Sequence, residues 1–90
     1  MNGWQGNYEQ MIRRNRAAGF AIYHCLLLAF LEHQRTMFSG ITDRDITRIS
    51  ERLLISERWI RHILCKYHLF RVMLGEYYPE PGWDEKLLDI

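Results

Sequence analysis

Arg58 and Arg61 stand three residues apart in "SERWIRHILCKYH" (residues 56–68), where Ile60, Ile63, Leu64 and Tyr67 recur at helical spacing. On a helix the apolar residues share one face, and Glu57, Arg58, Arg61, His62 and Cys65 take the other. A guanidinium is a planar fork of donors. Two on one face suit bidentate contact with paired acceptors such as guanine O6 and N7. A plain solvated helix surface has the same composition, so the face needs a context before it acquires a role.

Other chemistries find less support. His62, Cys65 and His68 recur every three residues and could share a ligand with His24 or Cys25, but the spacing is unlike structural zinc patterns and no metal is expected. There is no Gly-rich phosphate loop, no G-x-S-x-G and no H-E-x-x-H. A chain of 90 residues barely encloses a substrate pocket, so neither an enzyme nor a cofactor is expected. Cys25 and Cys65 form no C-x-x-C pair, and a reducing cytoplasm is the simpler setting.

The elements around this face follow from caps and periodicity. "MNGWQGN" (residues 1–7) reads as a loose, flexible tail, and Tyr8 to Arg16 as a short amphipathic turn or two. A long helix is expected from about Ala17 to Arg35. Only Gly19 and His24 interrupt its apolar character up to Leu31, yet the run is shorter than a membrane span needs and lacks a small-x-small cleavage site. A helix apolar nearly all round must be covered. A second copy of the chain is the expected cover, with Phe20, Ile22, Tyr23, Leu26, Leu27 and Phe30 at the dimer interface.

After the connection "MFSGIT" (residues 37–42), Thr42 can cap a helix, with Asp45 completing a T-x-x-D capping box. Ile46, Ile49 and Leu53 fall on one face of that helix, which stops near Leu54-Ile55, and Ser56 caps the next. Residues 40–64, "GITDRDITRISERLLISERWIRHIL", therefore pair two short helices through a turn of three or four residues. This stretch resembles the helix-turn-helix superfamily of DNA-binding proteins, particularly its winged form. It covers about a quarter of the chain, and it departs from the common pattern at Leu54, where many members have Gly, and at Ser50, where Ala is commoner.

The resemblance implies a mainly α, small winged helix-turn-helix domain over residues 8–78, with the helix-turn-helix unit at 43–67 and its second helix lying in a major groove. It makes Glu57, Arg58, Arg61 and His62 the base contacts, and Thr42, Arg44, Arg48, Ser56, Lys66 and Arg71 the phosphate contacts. Residues 70–78, "FRVMLGEYY", could form a short β-hairpin wing, or the second helix could continue to Leu74 and end at Gly75. Trp59 falls beside the apolar stripe, as a lid on the core or a stacking residue at the groove edge. Residues 79–90 form an acidic C-terminal tail whose Trp83, Leu87, Leu88 and Ile90 could dock on the body or on a partner.

Charge is compatible with this reading. The net charge is +1, but residues 1–71 carry 11 Lys and Arg against 6 Asp and Glu, whereas residues 72–90 carry 1 against 5. The basic body suits a polyanion. The expected function is sequence-specific binding of double-stranded DNA by a homodimeric transcription or replication regulator. The acidic tail and near-neutral total keep a second class open: a protein-interaction module, such as an inhibitor or adaptor of the kind viruses and plasmids encode.

Overall fold

A computed structural model gives the structure of residues 3–83, a mainly helical domain with a small antiparallel hairpin. Three helices, α1 (Gly3–Thr36), α2 (Asp43–Leu53) and α3 (Glu57–Lys66), precede two strands, β1 (Phe70–Met73) and β2 (Glu76–Pro79). No described helix is long and apolar enough to cross a membrane.

α1 is two helices joined at Arg16, which takes φ 58 and ψ −140. A straight helix of that length would run roughly 50 Å, whereas the molecule's longest extent is 33 Å. The break folds the first half of α1 back over the second. Tyr8 thereby meets Tyr23 with ring centroids 5.2 Å apart, and Trp4 stacks on Tyr8 at 5.1 Å. Tyr23 in turn meets Phe70 at 5.5 Å, which brings the hairpin onto the same cluster.

Two sequence expectations fail here for one physical reason. Residues 3–7 are not a loose tail: they open α1, and Trp4 is 5% exposed, with Gly82 so close that a Cβ there would lie 3.1 Å from its ring. The dimer interface is also misplaced. Ile22, Tyr23, Leu26 and Leu27 are completely buried within their own chain, and Phe30 packs edge-on to Tyr78 and Trp83. Of the six residues Phe20, 47% exposed, is the most open to a partner, and Phe30 is half-buried. The folded-back segment and the hairpin supply the cover that a second copy was expected to give.

α2 begins where Asp45 reaches back to its cap. Asp45 Oδ2 accepts from the Thr42 amide at 2.8 Å and from its hydroxyl at 3.0 Å. The carboxylate also accepts from His33 Nε2 of α1 at 2.8 Å, and it is buried. The turn into α3 manages without glycine because Leu54 itself takes left-handed geometry, φ 57 and ψ 43. Ser50 fastens it: its carbonyl accepts from Ile55 N at 3.2 Å, and its hydroxyl donates to Ile55 O at 2.6 Å. Ser56 Oγ then accepts from Trp59 N at 3.2 Å to cap α3. Ile46 and Ile49 of α2 and Ile60, Ile63 and Leu64 of α3 close the core between them and α1.

α3 ends at Lys66 and does not run on to Leu74, since His68 turns left-handed at φ 57. β1 and β2 pair in antiparallel register, Phe70 opposite Pro79 and Met73 opposite Glu76. Leu74 and Gly75, both at positive φ, make the two-residue turn. Ile41 adds one antiparallel bridge to Tyr77, which ties the α1–α2 connection to the hairpin. Of the tail, residues 79–83 are described, with Pro79 buried. The expected docking of Leu87, Leu88 and Ile90 lies outside the described residues.

At Gly19 the two halves of α1 approach tightly. A Cβ there would stand 2.6 Å from Asn15 Cβ and 2.9 Å from Met11 Sδ. Alanine is the better helix former by about 1 kcal/mol, but overpacking costs about 1–3 kcal/mol and more against so short a contact. Gly19→Ala therefore lowers the urea midpoint, with the slope of the transition unchanged. Burial also raises the Tyr23 hydroxyl above its ordinary value, an effect the neighbouring Trp4 opposes. A raised folded-state value stabilises fully below about pH 10 and is lost as pH rises further, because the unfolded chain ionises first. Stability measured between pH 8 and 11 falls across the upper part of that range, and Tyr23→Phe flattens the fall.

Candidate nucleic-acid interface

The outward side of α3, roughly three turns long, and the hairpin beside it form the surface that sequence reading singled out. With Ile60, Ile63, Leu64 and Tyr67 turned inward, the outward line carries Arg58, His62 and Cys65, all exposed, with Trp59 and Lys66 along one side and Glu57 and Arg61 along the other. Among the described residues Arg58 and Lys66 make no ion pair.

Arg61 is placed differently from Arg58. Its Nη1 lies 3.2 Å from Asp43 Oδ1 at the start of α2, and its Nη2 lies 3.9 Å from Glu57 Oε1. The hydrogen bond it donates to Asp43 holds its guanidinium still more firmly protonated. Glu57 is engaged from its other oxygen, which accepts from the Thr47 hydroxyl at 3.2 Å. The expected base-contacting quartet thus splits, with Arg58 open and Glu57 and Arg61 spanning α2 and α3.

His62 leans the other way. Its ring meets Tyr67 edge-on at 5.5 Å, and its Nε2 lies 3.4 Å from the Tyr67 hydroxyl. Tyr67 accepts from Asn15 Nδ2 at 3.1 Å, and Asn15 Oδ1 accepts from Trp59 Nε1 at 2.9 Å. Trp59 is therefore a lid hydrogen-bonded to the break in α1. No pattern in the α3 sequence signals this network, because its hub lies 44 residues upstream of Trp59.

The six expected phosphate contacts also divide. Arg44 and Lys66 are exposed, and Arg71 on β1 is exposed with its Nε 3.7 Å from Glu80. Ser56 keeps its hydroxyl proton to donate while its oxygen caps α3. Two assignments need correction. Thr42 donates both its amide and its hydroxyl to Asp45, so it has no proton left for a phosphate. Arg48 lines a groove between α1 and α2, whereas Asp43 and Thr47 mark the flank of α2 that meets α3.

Two features of the surface were missed. Val72, Met73 and Leu74 form an exposed apolar tip on the hairpin, with Leu74 wholly exposed. The β-prone composition of that segment signalled a strand but not which side faced solvent. Tyr77 of β2 is the second: burial raises its hydroxyl most, followed by the neighbouring Cys65, while Arg61 lowers it, which places the three side chains together at the junction of α3 and the hairpin. Among the described residues no three His, Cys, Asp or Glu side chains gather as a metal ion would require, and both cysteines are free. Set against protein-family models, curated proteins and solved structures, the chain matches none.

Proposed function

We propose that this chain binds double-stranded DNA, with α2, its turn and α3 acting as a helix-turn-helix and the β1–β2 hairpin as the wing. The observation that carries this reading is the outward face of α3: cationic, uncovered by the rest of the fold, and flanked at Tyr77 by a hairpin whose first strand carries the exposed Arg71. A helix that presents Arg58 and His62 outward from a rigid three-helix frame fits the width of a major groove. Arg58 is the principal base reader, His62 adds a contact, and Arg61 joins after leaving Asp43. Arg44, Ser56, Lys66 and Arg71 hold phosphates.

A homodimer remains part of this proposal, since two copies would set their α3 helices in successive major grooves about 34 Å apart. The interface must then use the outer side of α1, where Phe20 and Leu28 are exposed. Sedimentation at high micromolar concentration tests it, and a monomer there refutes the dimer alone. The second reading, a protein-interaction module, is favoured by one specific observation, the apolar hairpin tip of Val72, Met73 and Leu74.

Binding to a selected site and to random DNA, each at two salt concentrations, separates the roles. Arg58→Ala costs about 1–3 kcal/mol on the selected site and relaxes its sequence preference. Lys66→Ala weakens binding to all sequences alike and lowers the salt slope by roughly one. Equal losses for Arg58→Ala on both DNAs make Arg58 a backbone clamp. Wild-type protein that binds no DNA at low salt ends the DNA reading and leaves the interaction module.

A further inference from the structure

On the far side of α2 from α3, a groove of about 440 Å³ runs between α2 and the second half of α1. This volume falls within the range of small-molecule sites. Cys25, Leu28 and Ala29 of α1 and Ile49 of α2 supply its apolar surface, and Arg48 and Arg52 stand one helical turn apart along its α2 wall. Among the described residues neither arginine makes an ion pair.

The acids nearby do not answer those charges. Asp45 is occupied by His33 and by the cap of α2. Glu32 is strongly exposed at the mouth and lies 4.0 Å from Arg35. His33 contributes a buried Nδ1 with no hydrogen-bond partner among the described residues. The Arg52 charge reaches the opposite wall, where it lowers the Cys25 thiol against the larger, raising effect of burial. The groove therefore sets two arginines on its α2 wall opposite an α1 wall that is apolar at Cys25, Leu28 and Ala29 and polar further along, at Glu32, His33 and Thr36.

We propose that the groove between α1 and α2 binds a small amphiphilic carboxylate, its head held by Arg48 and Arg52 and its apolar body lying over Cys25, Ala29 and Ile49. A carboxylate can accept from two guanidinium forks a turn apart. A wholly apolar ligand would leave both cations unanswered. The site lies apart from the α3 face and does not rest on the DNA reading; it shares Leu28 alone with the side of α1 offered to a second copy.

The test uses the full chain with octanoate as probe and octanol as its uncharged counterpart. Cys25 is the reporter, with exposed Cys65 as internal control, both followed as rates of iodoacetamide alkylation read by peptide mass. Octanoate slows alkylation of Cys25 saturably and leaves Cys65 unchanged, and octanol protects about tenfold less well. Arg48→Gln and Arg52→Gln each raise the half-protecting octanoate concentration about tenfold, the loss of one charge-assisted contact. Arg14→Gln, at an exposed position away from the groove, leaves it unchanged. Thermal midpoints establish that each variant is folded, and the wild-type comparison of octanoate with octanol stands whether or not a variant folds. Equal protection by octanol, no saturable protection of Cys25, or protection undiminished in the Arg48→Gln/Arg52→Gln double variant overturns the proposal.

Discussion

The break at Arg16 is the constraint on which the other parts rest. A non-glycine residue at φ 58 and ψ −140 occupies a region normally left to glycine, at a cost of order 1–3 kcal/mol. Neighbouring contacts offset that cost. Asn15 donates to Met11 O at 2.9 Å, which satisfies a carbonyl at the break, and donates again to Tyr67. Gly19 leaves the space into which Met11 packs. Folding back lets one chain bury Ile22, Tyr23, Leu26 and Leu27, and it makes the Trp4–Tyr8–Tyr23–Phe70 cluster possible.

A second constraint fixes α2, and through it α3. One buried carboxylate, Asp45, both starts α2 and attaches it to α1 through His33. A buried charge is tolerated when its lone pairs are answered, and here three donors converge on it. The opposite flank of α2 meets α3 through Asp43 with Arg61 and Thr47 with Glu57. α3 is thus held from two sides, by α2 and by the Asn15 network, and its outward face is what remains.

What sequence alone disclosed was what local chemistry decides. Thr42 with Asp45, Ser56, and the Ile46/Ile49/Leu53 and Ile60/Ile63 spacings are each defined within about one or two helical turns, and the helices begin and end where those residues require. What it missed depends on residues distant in the chain. The apolar run of α1 looked too exposed for one chain because nothing in Ala17–Leu31 reveals that Trp4, Tyr8 and Phe70 come to lie upon it. From sequence, Arg61 reads as a base contact and Arg48 as a phosphate contact, both as cations free to meet DNA. The packing of α2 between α1 and α3 sends the first to a groove and the second to Asp43.

The difference between Arg58 and Arg61 bears on how the α3 face would meet a polyanion. The Arg61 contacts join partly exposed side chains, at 42% and 78% exposure for Arg61 with Asp43 and 42% and 44% with Glu57. Pairs so open to water contribute little, with a median of about 0–1 kcal/mol, and salt weakens them further. Such contacts position Arg61 without holding it tightly, and a phosphate or base edge can displace them at small cost. His62 is otherwise placed, since its partner Tyr67 is buried and bound to Asn15. Its own contact to the Tyr67 hydroxyl is long, at 3.4 Å, and the links from Tyr67 and Trp59 to Asn15 do not pass through it, so His62 can turn toward a ligand without loosening α3 from the break in α1. A single helix face therefore carries an open cation at Arg58, a displaceable one at Arg61 and a ring leaning on Tyr67 at His62, and Asp43 of α2 and Asn15 of α1 stand behind the last two.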